Sequence, residues 1–438
     1  MSSVELNDAP GAVARSEAAS NAYENIAQVF LRTRFDDAHA EAAALAALSA
    51  SGVRLPLAGL ALAVKACFDV AGWVTDAASN VLSDQPPAQQ DAPLVASLRA
   101  AGATVVAHTN MTEFAFGALG VNSFRGTPRT PLDPQGERVA GGSTSGGAVA
   151  VAAGLADIAL GSDTSGSVRI PAAFCGLAGY KPSKGILSAQ GCIPLSTTFD
   201  VPGFIARDVD TLLRVVDAVG PFARKLRPVR QQDPSLEGLR FAIPKGFAVG
   251  HCDRVVRGAF ARALELLTAQ GASIVETEFT DLRAPSRIAL ESGIIVADAY
   301  TWHADWLRTR ADRYDPLVGP RISKGEGVAA HRYLSGLAAL EDRRRVFADE
   351  VSGYDALLTP TVPVVPPKLD DLRDSAEYLR VNALVFSLTE LANRIDLPSV
   401  SLPLERQQSL PVGLLLTGRP ADDPHLLLLA RRLEAALS

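Results

Sequence analysis

The chain of 438 residues is 47% hydrophobic and 21% charged and carries a formal net charge of −6. That balance describes a soluble globular protein with a large core, and it gives no electrostatic reason to expect nucleic acid or an anionic membrane surface as a partner. No apolar run reaches membrane-spanning length, and the first twenty residues lack the basic start and apolar middle of a signal peptide, so a cytoplasmic protein is expected.

Residues 1–20 read as a frayed tail, and one domain is expected over 21–438. From Ser20 to about Ala50 the pattern predicts a helix or helix pair. Residues 55–65 alternate larger and smaller apolar side chains, as a buried strand would, and end on Lys65. A helix over Asp91–Ala101 and a strand over Thr104–His108 complete a β-α-β unit. The loop Gly141–Gly147 leads into a small-residue helix, Ala148–Ala153, stopped at Gly154. A strand over Asp157–Leu160 then runs into the turn Gly161–Ser167, and the chain re-enters helix with Pro171 near its start. Beyond Asp208 the reading is helices, a strand at Leu239–Ile243, a helical region over about 254–350, a Pro-rich loop from Thr359 to Pro367, and a closing strand pair and helix. No internal repeat or long linker separates two domains. The expectation is one α/β/α domain, a mixed and largely parallel twisted sheet covered by helices.

Four cysteines, Cys67, Cys175, Cys192 and Cys252, form no C-x-x-C pair, so reduced thiols are expected. The six histidines show no metal-binding spacing. Neither a metal nor a cofactor is expected. Arg343–Arg345 lies among Glu341, Asp342 and Asp349 and reads as a solvated helix face. A turn dense in Gly and Ser, placed at a helix start, gathers backbone N–H groups where negative charge is favoured, which is how an oxyanion hole is built. A phosphate cradle would need a Lys after the Gly-rich loop, and none is present. The G-x-S-x-G elbow fails at Thr144, and no Ser precedes a Lys by three residues. Only seven of the 42 basic residues are lysines. Lys65 lies among Leu60, Leu62, Val64, Ala66, Cys67 and Phe68. It either snorkels to water or is buried with a depressed pKa and serves as a base.

With Lys65, Gly141-Gly-Ser143 and Asp163-Thr-Ser-Gly-Ser167 in place, the sequence resembles the amidase signature family. Gly141–Gly147, Ala159–Gly176 and Gly179–Pro182 look like the signature stretch, with a core over about 55–215. Further similarity runs through Thr109–Phe114, Gly191–Pro194 with Asp200 and Gly203, Leu357–Thr361, and Leu397–Ser401 with Pro411–Leu414. The resemblance implies a Ser-Ser-Lys triad in which Ser167 is acylated, Ser143 bridges and Lys65 is the base. It further implies a cis Gly142–Ser143 peptide bond, an oxyanion hole from the N–H groups of Thr164, Ser165, Gly166 and Ser167, and Asp163 and Arg169 as braces.

Three positions depart from the family pattern. Ser165 stands where glycine is usual, Ala66 where Asp is common and His108 where Lys is common. The resemblance implies an amidohydrolase of small carboxylic amides, with no cofactor, often a homodimer. The rival readings are an amidotransferase A-type or biuret-hydrolase-like subunit working with a partner chain, and an inactive binding scaffold. The substrate pocket is expected around Met111–Phe116, Gly191–Phe199 and Ile294–Leu337, with Phe114, Phe116 and Phe199 either favouring an apolar acyl group or packing in the core.

Overall fold

A computed structural model describes residues 8–221, 235–247, 249–404 and 410–437. Its strands are β1 (Phe30–Thr33), β2 (Ala61–Lys65), β3 (Thr104–Thr109), β4 (Ile158–Asp163), β5 (Ala178–Lys181), β6 (Val201–Ala206), β7 (Arg240–Pro244), β8 (Ser273–Thr277), β9 (Ala356–Pro360), β10 (Ser399–Pro403) and β11 (Gly413–Thr417). They form one 11-stranded sheet in the order β1-β3-β2-β4-β6-β5-β10-β11-β9-β7-β8. The central strands β2, β3, β4, β5, β6 and β11 are buried along their whole length, as strands covered on both faces must be. The edge strands β1 and β8 are only partly buried.

Strand periodicity of two sorts the side chains by size between the faces. Leu62 and Val64 of β2, Ile158 and Leu160 of β4, and Phe204 of β6 join one large core. Ala61, Ala63 and Ala159 point into a second, smaller core with Ala148, Val149 and Ala150 of the helix Ser145–Ala152. Small residues on both partners let that helix lie close to the sheet. A side chain added at Gly146 would meet the Val29 carbonyl at 2.5 Å and the Asn110 amide nitrogen at 2.7 Å. The close approach matters because this helix begins directly after Ser143 and feeds β4.

The sheet is mixed, as expected, but it is not largely parallel. Parallel pairing is confined to β3-β2-β4 and to β8-β7-β9. The remaining pairings, β1·β3, β4·β6, β6·β5, β5·β10, β10·β11 and β11·β9, are antiparallel. Helical crossovers impose parallel pairing, and the helix Pro93–Ala100 between β2 and β3 is such a crossover. The β10–β11 pair closes as an antiparallel hairpin instead.

The tail expected through residue 20 is corrected: Ala9–Ala22 is a helix, capped by Asp8, whose carboxylate accepts from the Gly11 amide at 2.9 Å. Val13, Ser16 and Ser20 are buried, and the Ser16 hydroxyl donates to the Leu155 carbonyl. Residues 1–7 of that tail lie outside the described residues. The strand expected over 55–65 begins only at Ala61, and β4 continues to Asp163. The helical region over 254–350 contains the strand β8, which follows the helix Arg254–Ala269 in a β-α-β unit with β7. The closing strand pair and helix are as expected, the helix running over Asp423–Leu437. Arg344 and Arg345 pair with Glu341 on an exposed helix face.

Gly146→Ala is therefore expected to destabilise by about 1–3 kcal/mol through overpacking against backbone. Gly353→Ala, where the new methyl meets nothing within 4 Å, should change stability by less than about 0.5 kcal/mol. Urea denaturation of the two variants checks the contrast, and equal stabilities would contradict the packing argument.

Candidate active site

Lys65 ends β2 and Asp163 ends β4, and the two strands are parallel neighbours with Val64 opposite Leu160. Their carboxyl ends therefore open on the same side, where open α/β sheets place ligands. The loop before Ser145 comes to the same edge. Its Gly142 amide donates to the Ala118 carbonyl at 2.7 Å, and the Thr112 amide donates to the Ser143 carbonyl at 3.2 Å. The Gly142–Ser143 peptide bond is cis, as the resemblance implied. The Thr144 amide donates to the Ser167 carbonyl at 3.2 Å and ties the loop to the turn after β4.

Lys65 is fully buried. Its Nζ lies 2.7 Å from Ser143 Oγ, 2.8 Å from Ser162 Oγ and 3.3 Å from the Ser162 carbonyl. Burial lowers its pKa, opposed by the negative charge of the thiols and carboxylates around it. Of the two readings open for this residue, snorkelling is excluded. Ser167 is buried too, and its Oγ makes no hydrogen bond to another group among the described residues.

The turn between them is held from behind. Both Asp163 and Arg169 are fully buried. Arg169 Nε and Nη2 donate to the Asp163 carboxylate at 3.0 and 2.9 Å, and the carboxylate also accepts from the Gly166 and Val168 amides at 2.7 and 3.1 Å. Burial works against ionisation of Asp163, but the Arg169 charge and these donors outweigh it and hold the carboxyl well below the usual carboxylate range. Arg169 continues to the Thr389 carbonyl and to Asn393 Oδ1 at 2.8 and 2.7 Å. Through these contacts Asp163 and Arg169 link the turn to the segment holding Thr389 and Asn393.

The Gly166 amide is directed at Asp163, while those of Thr164, Ser165 and Ser167 donate to no protein group among the described residues. The left-handed torsion of the turn falls on Gly166, with φ 137°, and a Cβ there would meet Thr389 Oγ1 at 2.2 Å. Ser165 keeps a negative φ, so its departure from glycine imposes no backbone strain. Its hydroxyl accepts from Arg394 Nη2 at 2.8 Å. The other departures are also accommodated. Ala66 is buried in the main core. His108 is buried against Trp73, with Nε2 at 2.9 Å from the Phe68 carbonyl, and burial brings its pKa to about 3, so it is neutral where a lysine would be charged.

Several neighbours fall within the resembling stretches or beside Lys65 but are given no role by the sequence. Ser162 looks like an ordinary strand residue, yet it contacts Lys65 twice. Asp200 accepts from Thr164 Oγ1 at 2.6 Å and from the Leu195 and Ser196 amides, and burial raises its pKa to about 6. Cys67 and Cys192 stand 3.6 Å apart as free thiols beside Ser162.

A cavity of about 590 Å³ opens onto Ser167, Ser165 and Thr164. Its walls include Phe116, Leu195, Ile295 and Arg321 from the expected segments, and also Leu282–Leu290 and Asn382–Arg394, which were not expected. Phe114 and Phe199 do not line it: Phe114 packs edge-on against His303 and at a tilt against Tyr314, and Phe199 lies under Arg394. No cluster of side chains able to hold a metal ion occurs among the described residues, and no helix there is long and apolar enough to cross a membrane.

The family profile described as Amidase matches residues 12–427. The 2-amino-5-chloromuconic acid deaminase of Comamonas testosteroni is 33% identical over 432 residues, covering 97% of this chain and 90% of that protein. Amidase 1 of Oryza sativa subsp. japonica is 33% identical over 397 residues, 85% of this chain and 89% of the relative. A crystal structure of an amidase superposes with a TM-score of 0.86 at 31% identity, covering 98% of this chain and 96% of the other. Fold and relatives together define a hydrolase acting on carbon–nitrogen bonds. The chain belongs to the amidase signature family.

Because Asp163 and Arg169 are buried together, removing one leaves an uncompensated charge. Arg169→Met is expected to cost about 3–5 kcal/mol of stability, measured by urea denaturation. A loss under about 1 kcal/mol would mean that the pair does not brace the turn.

Proposed function

We propose that the protein is an amidohydrolase that cleaves the C–N bond of a small amide through an acyl-enzyme on Ser167. The observations that carry this reading are the buried 2.7 Å contact between Lys65 Nζ and Ser143 Oγ and an unpartnered Ser167 hydroxyl on the cavity wall. A neutral amine has two N–H groups and one lone pair. Donating to the Ser162 hydroxyl and carbonyl, Lys65 keeps its lone pair for the Ser143 proton. Ser143 in turn takes the proton of Ser167 as Ser167 Oγ attacks the amide carbon. The carbonyl oxygen becomes an oxyanion facing the Thr164, Ser165 and Ser167 amides. Return of the proton to the departing nitrogen breaks the C–N bond, and water then releases the acid by the same route.

The cavity wall adds a charge preference. Arg321 Nη1 donates to the Phe116 and Leu317 carbonyls at 2.9 and 3.3 Å, and its guanidinium lies 4.0 Å from the centre of the Phe116 ring. No carboxylate lies within 4 Å of it among the described residues. Arg283 and Lys324, also on the wall, have no ion-pair partner there either. A half-buried cation without an ion-pair partner favours an anionic ligand, so the substrate class is an amide whose acyl part bears a carboxylate. The relative named for a muconic acid derivative is consistent with that class.

Two outcomes test the reading. A fluorophosphonate probe should modify Ser167, mapped by peptide mass spectrometry. The Lys65 ammonium must lose its proton to act, so kcat/KM should rise with pH through a pKa below the ordinary lysine range and level off above it. Lys65→Arg keeps a charge that does not ionise and should lose about 10³-fold or more in kcat. Labelling of another serine, or an active Lys65→Arg enzyme with an unchanged profile, would sink the triad.

Substrate charge is tested by comparing succinamic acid with butanamide. Succinamic acid should be the better substrate, and Arg321→Met should reduce its kcat/KM by about 10- to 100-fold, the worth of one charged hydrogen bond, while barely affecting butanamide. Equal rates on the two amides in the wild type would remove the carboxylate from the substrate class.

A further inference from the structure

The four peptide units from Asp163 to Ser167 have their carbonyl oxygens tied down one by one. Asn393 Nδ2 donates to the Asp163 carbonyl at 2.9 Å, and Arg394 Nη1 to the Thr164 carbonyl at 3.0 Å. Thr389 Oγ1 donates to the Ser165 carbonyl at 2.6 Å, and the Ile170 amide to the Gly166 carbonyl at 2.7 Å. In each unit the N–H belongs to the next residue and points away from the fixed oxygen. The set of donors behind the turn therefore decides where the Thr164, Ser165, Gly166 and Ser167 amides point. Three of those four donors come from the short segment 389–394, more than 220 residues away along the chain.

Arg394 is the charged member of the set. It is 6% exposed, lies 4.7 Å over the Phe199 ring, and pairs with Glu390 at 3.1 Å. Its two terminal nitrogens grip one residue pair twice, Nη1 on the Thr164 carbonyl and Nη2 on the Ser165 hydroxyl. The hydroxyl exists only because Ser165 stands at a position where family members usually carry glycine. A cation bonded to a carbonyl draws electron density through the peptide and makes its N–H a stronger donor, an effect that low local dielectric enlarges. The unit polarised in this way is Thr164–Ser165, whose N–H is uncommitted. By contrast, the unit held by Thr389 supplies the Gly166 N–H, which already donates to Asp163.

We propose that Arg394 is a positioning residue for acyl transfer: through the Thr164 carbonyl and the Ser165 hydroxyl it fixes and polarises the Ser165 amide that faces the developing oxyanion. This rests on the reading of Ser167 as the nucleophile and of the turn as its oxyanion hole. Because the oxyanion exists only in the transition state, the contribution belongs to kcat rather than to substrate binding.

The test uses two probes that require no knowledge of the natural substrate, p-nitrophenyl butyrate and a fluorophosphonate whose phosphoryl oxygen enters the same hole. Removing a whole oxyanion donor costs about 10²–10³-fold, and here a donor is weakened, so Arg394→Gln should lower kcat for the ester by roughly 10-fold or more with KM within about threefold. The second-order rate of fluorophosphonate labelling should fall by a similar factor, while the fraction of chain finally labelled stays at the wild-type level. Arg394→Lys, which keeps a cation for the Thr164 carbonyl, should recover part of the loss. Thr389→Val should cost less in kcat than Arg394→Gln.

A lower labelled fraction at an unchanged rate would make Arg394 a structural residue and overturn the proposal, as would a change confined to KM. Equal losses for Thr389→Val and Arg394→Gln would overturn the polarisation. If Arg394→Gln does not fold, the Arg394→Lys rate against wild type decides: a kcat and labelling rate equal to wild type overturns the gripping geometry, and a fall of about threefold or more in both supports it. Failure of the wild-type protein to label at Ser167 would instead strike the nucleophile assignment itself.

Discussion

The structure depends on a carboxylate and a guanidinium that share no contact with water. Asp163 and Arg169 are wholly buried at the end of β4, and a pair in that position is tolerable only when every remaining hydrogen-bonding site is used. Here the carboxylate takes the Gly166 and Val168 amides and Asn393, and the guanidinium takes the Thr389 carbonyl and Asn393. Satisfying the charges leaves one conformation for the turn 163–168, and it also brings segment 389–394 against that turn. The same requirement that makes the pair costly makes the turn rigid.

A second constraint follows from where Lys65 ends. The sheet sends large side chains of β2 and β4 to one face and alanines to the other, which lets the helix Ser145–Ala152 settle close enough to bring Ser143 within reach of the lysine. A lysine at that depth is disfavoured as an ammonium. Its surroundings soften the cost through Ser162, whose hydroxyl and carbonyl lie within hydrogen-bonding distance. Packing at the second core and the ionisation of one amine are thus parts of one arrangement, because a bulkier residue at Ala63 or Ala159 would move the helix and with it the group that Lys65 touches.

What is legible in the sequence follows from how strongly each residue type restricts the chain. Glycines and serines punctuate the two loops, and a lysine closing an apolar run is conspicuous, so Lys65 and the turn 163–167 stand out in the sequence by themselves, whereas Ser143 and Ser167 are singled out by the family resemblance. Strands buried on both faces, such as β2 and β3, stand out as short apolar runs. The helix Ala9–Ala22 does not, because its buried face is built from Ala, Ser and a single Val rather than from large apolar residues. Parallel pairing is overestimated because the one recognisable crossover does not represent a sheet whose second half closes with a hairpin. The cavity walls at 282–290 and 382–394 escape notice for a further reason: their residues act through contacts across 100 residues or more, and nothing in their local spacing differs from that of an ordinary helix.

The distance between legible and illegible parts has a physical meaning for how this site can change. In the proposed mechanism the residues that pass the proton need titratable or hydroxyl groups of a narrow chemical range, and so they leave a mark in the sequence. Residues that orient peptide units need only supply a donor at one point. Thr389 does so with a hydroxyl, Asn393 with an amide and Arg394 with a guanidinium. Substitution of the Thr389 or Arg394 side chain alters one grip each, whereas Asn393 also completes the buried Asp163–Arg169 pair. Ser165 illustrates the freedom available: it adds a hydroxyl without needing an unusual torsion, because the left-handed backbone sits one residue later at Gly166. The charge that meets this hydroxyl is held by Glu390 and by the face of Phe199. In the proposed mechanism the proton relay is therefore fixed by chemistry, whereas the amides of the turn are aimed by a separate layer of side chains.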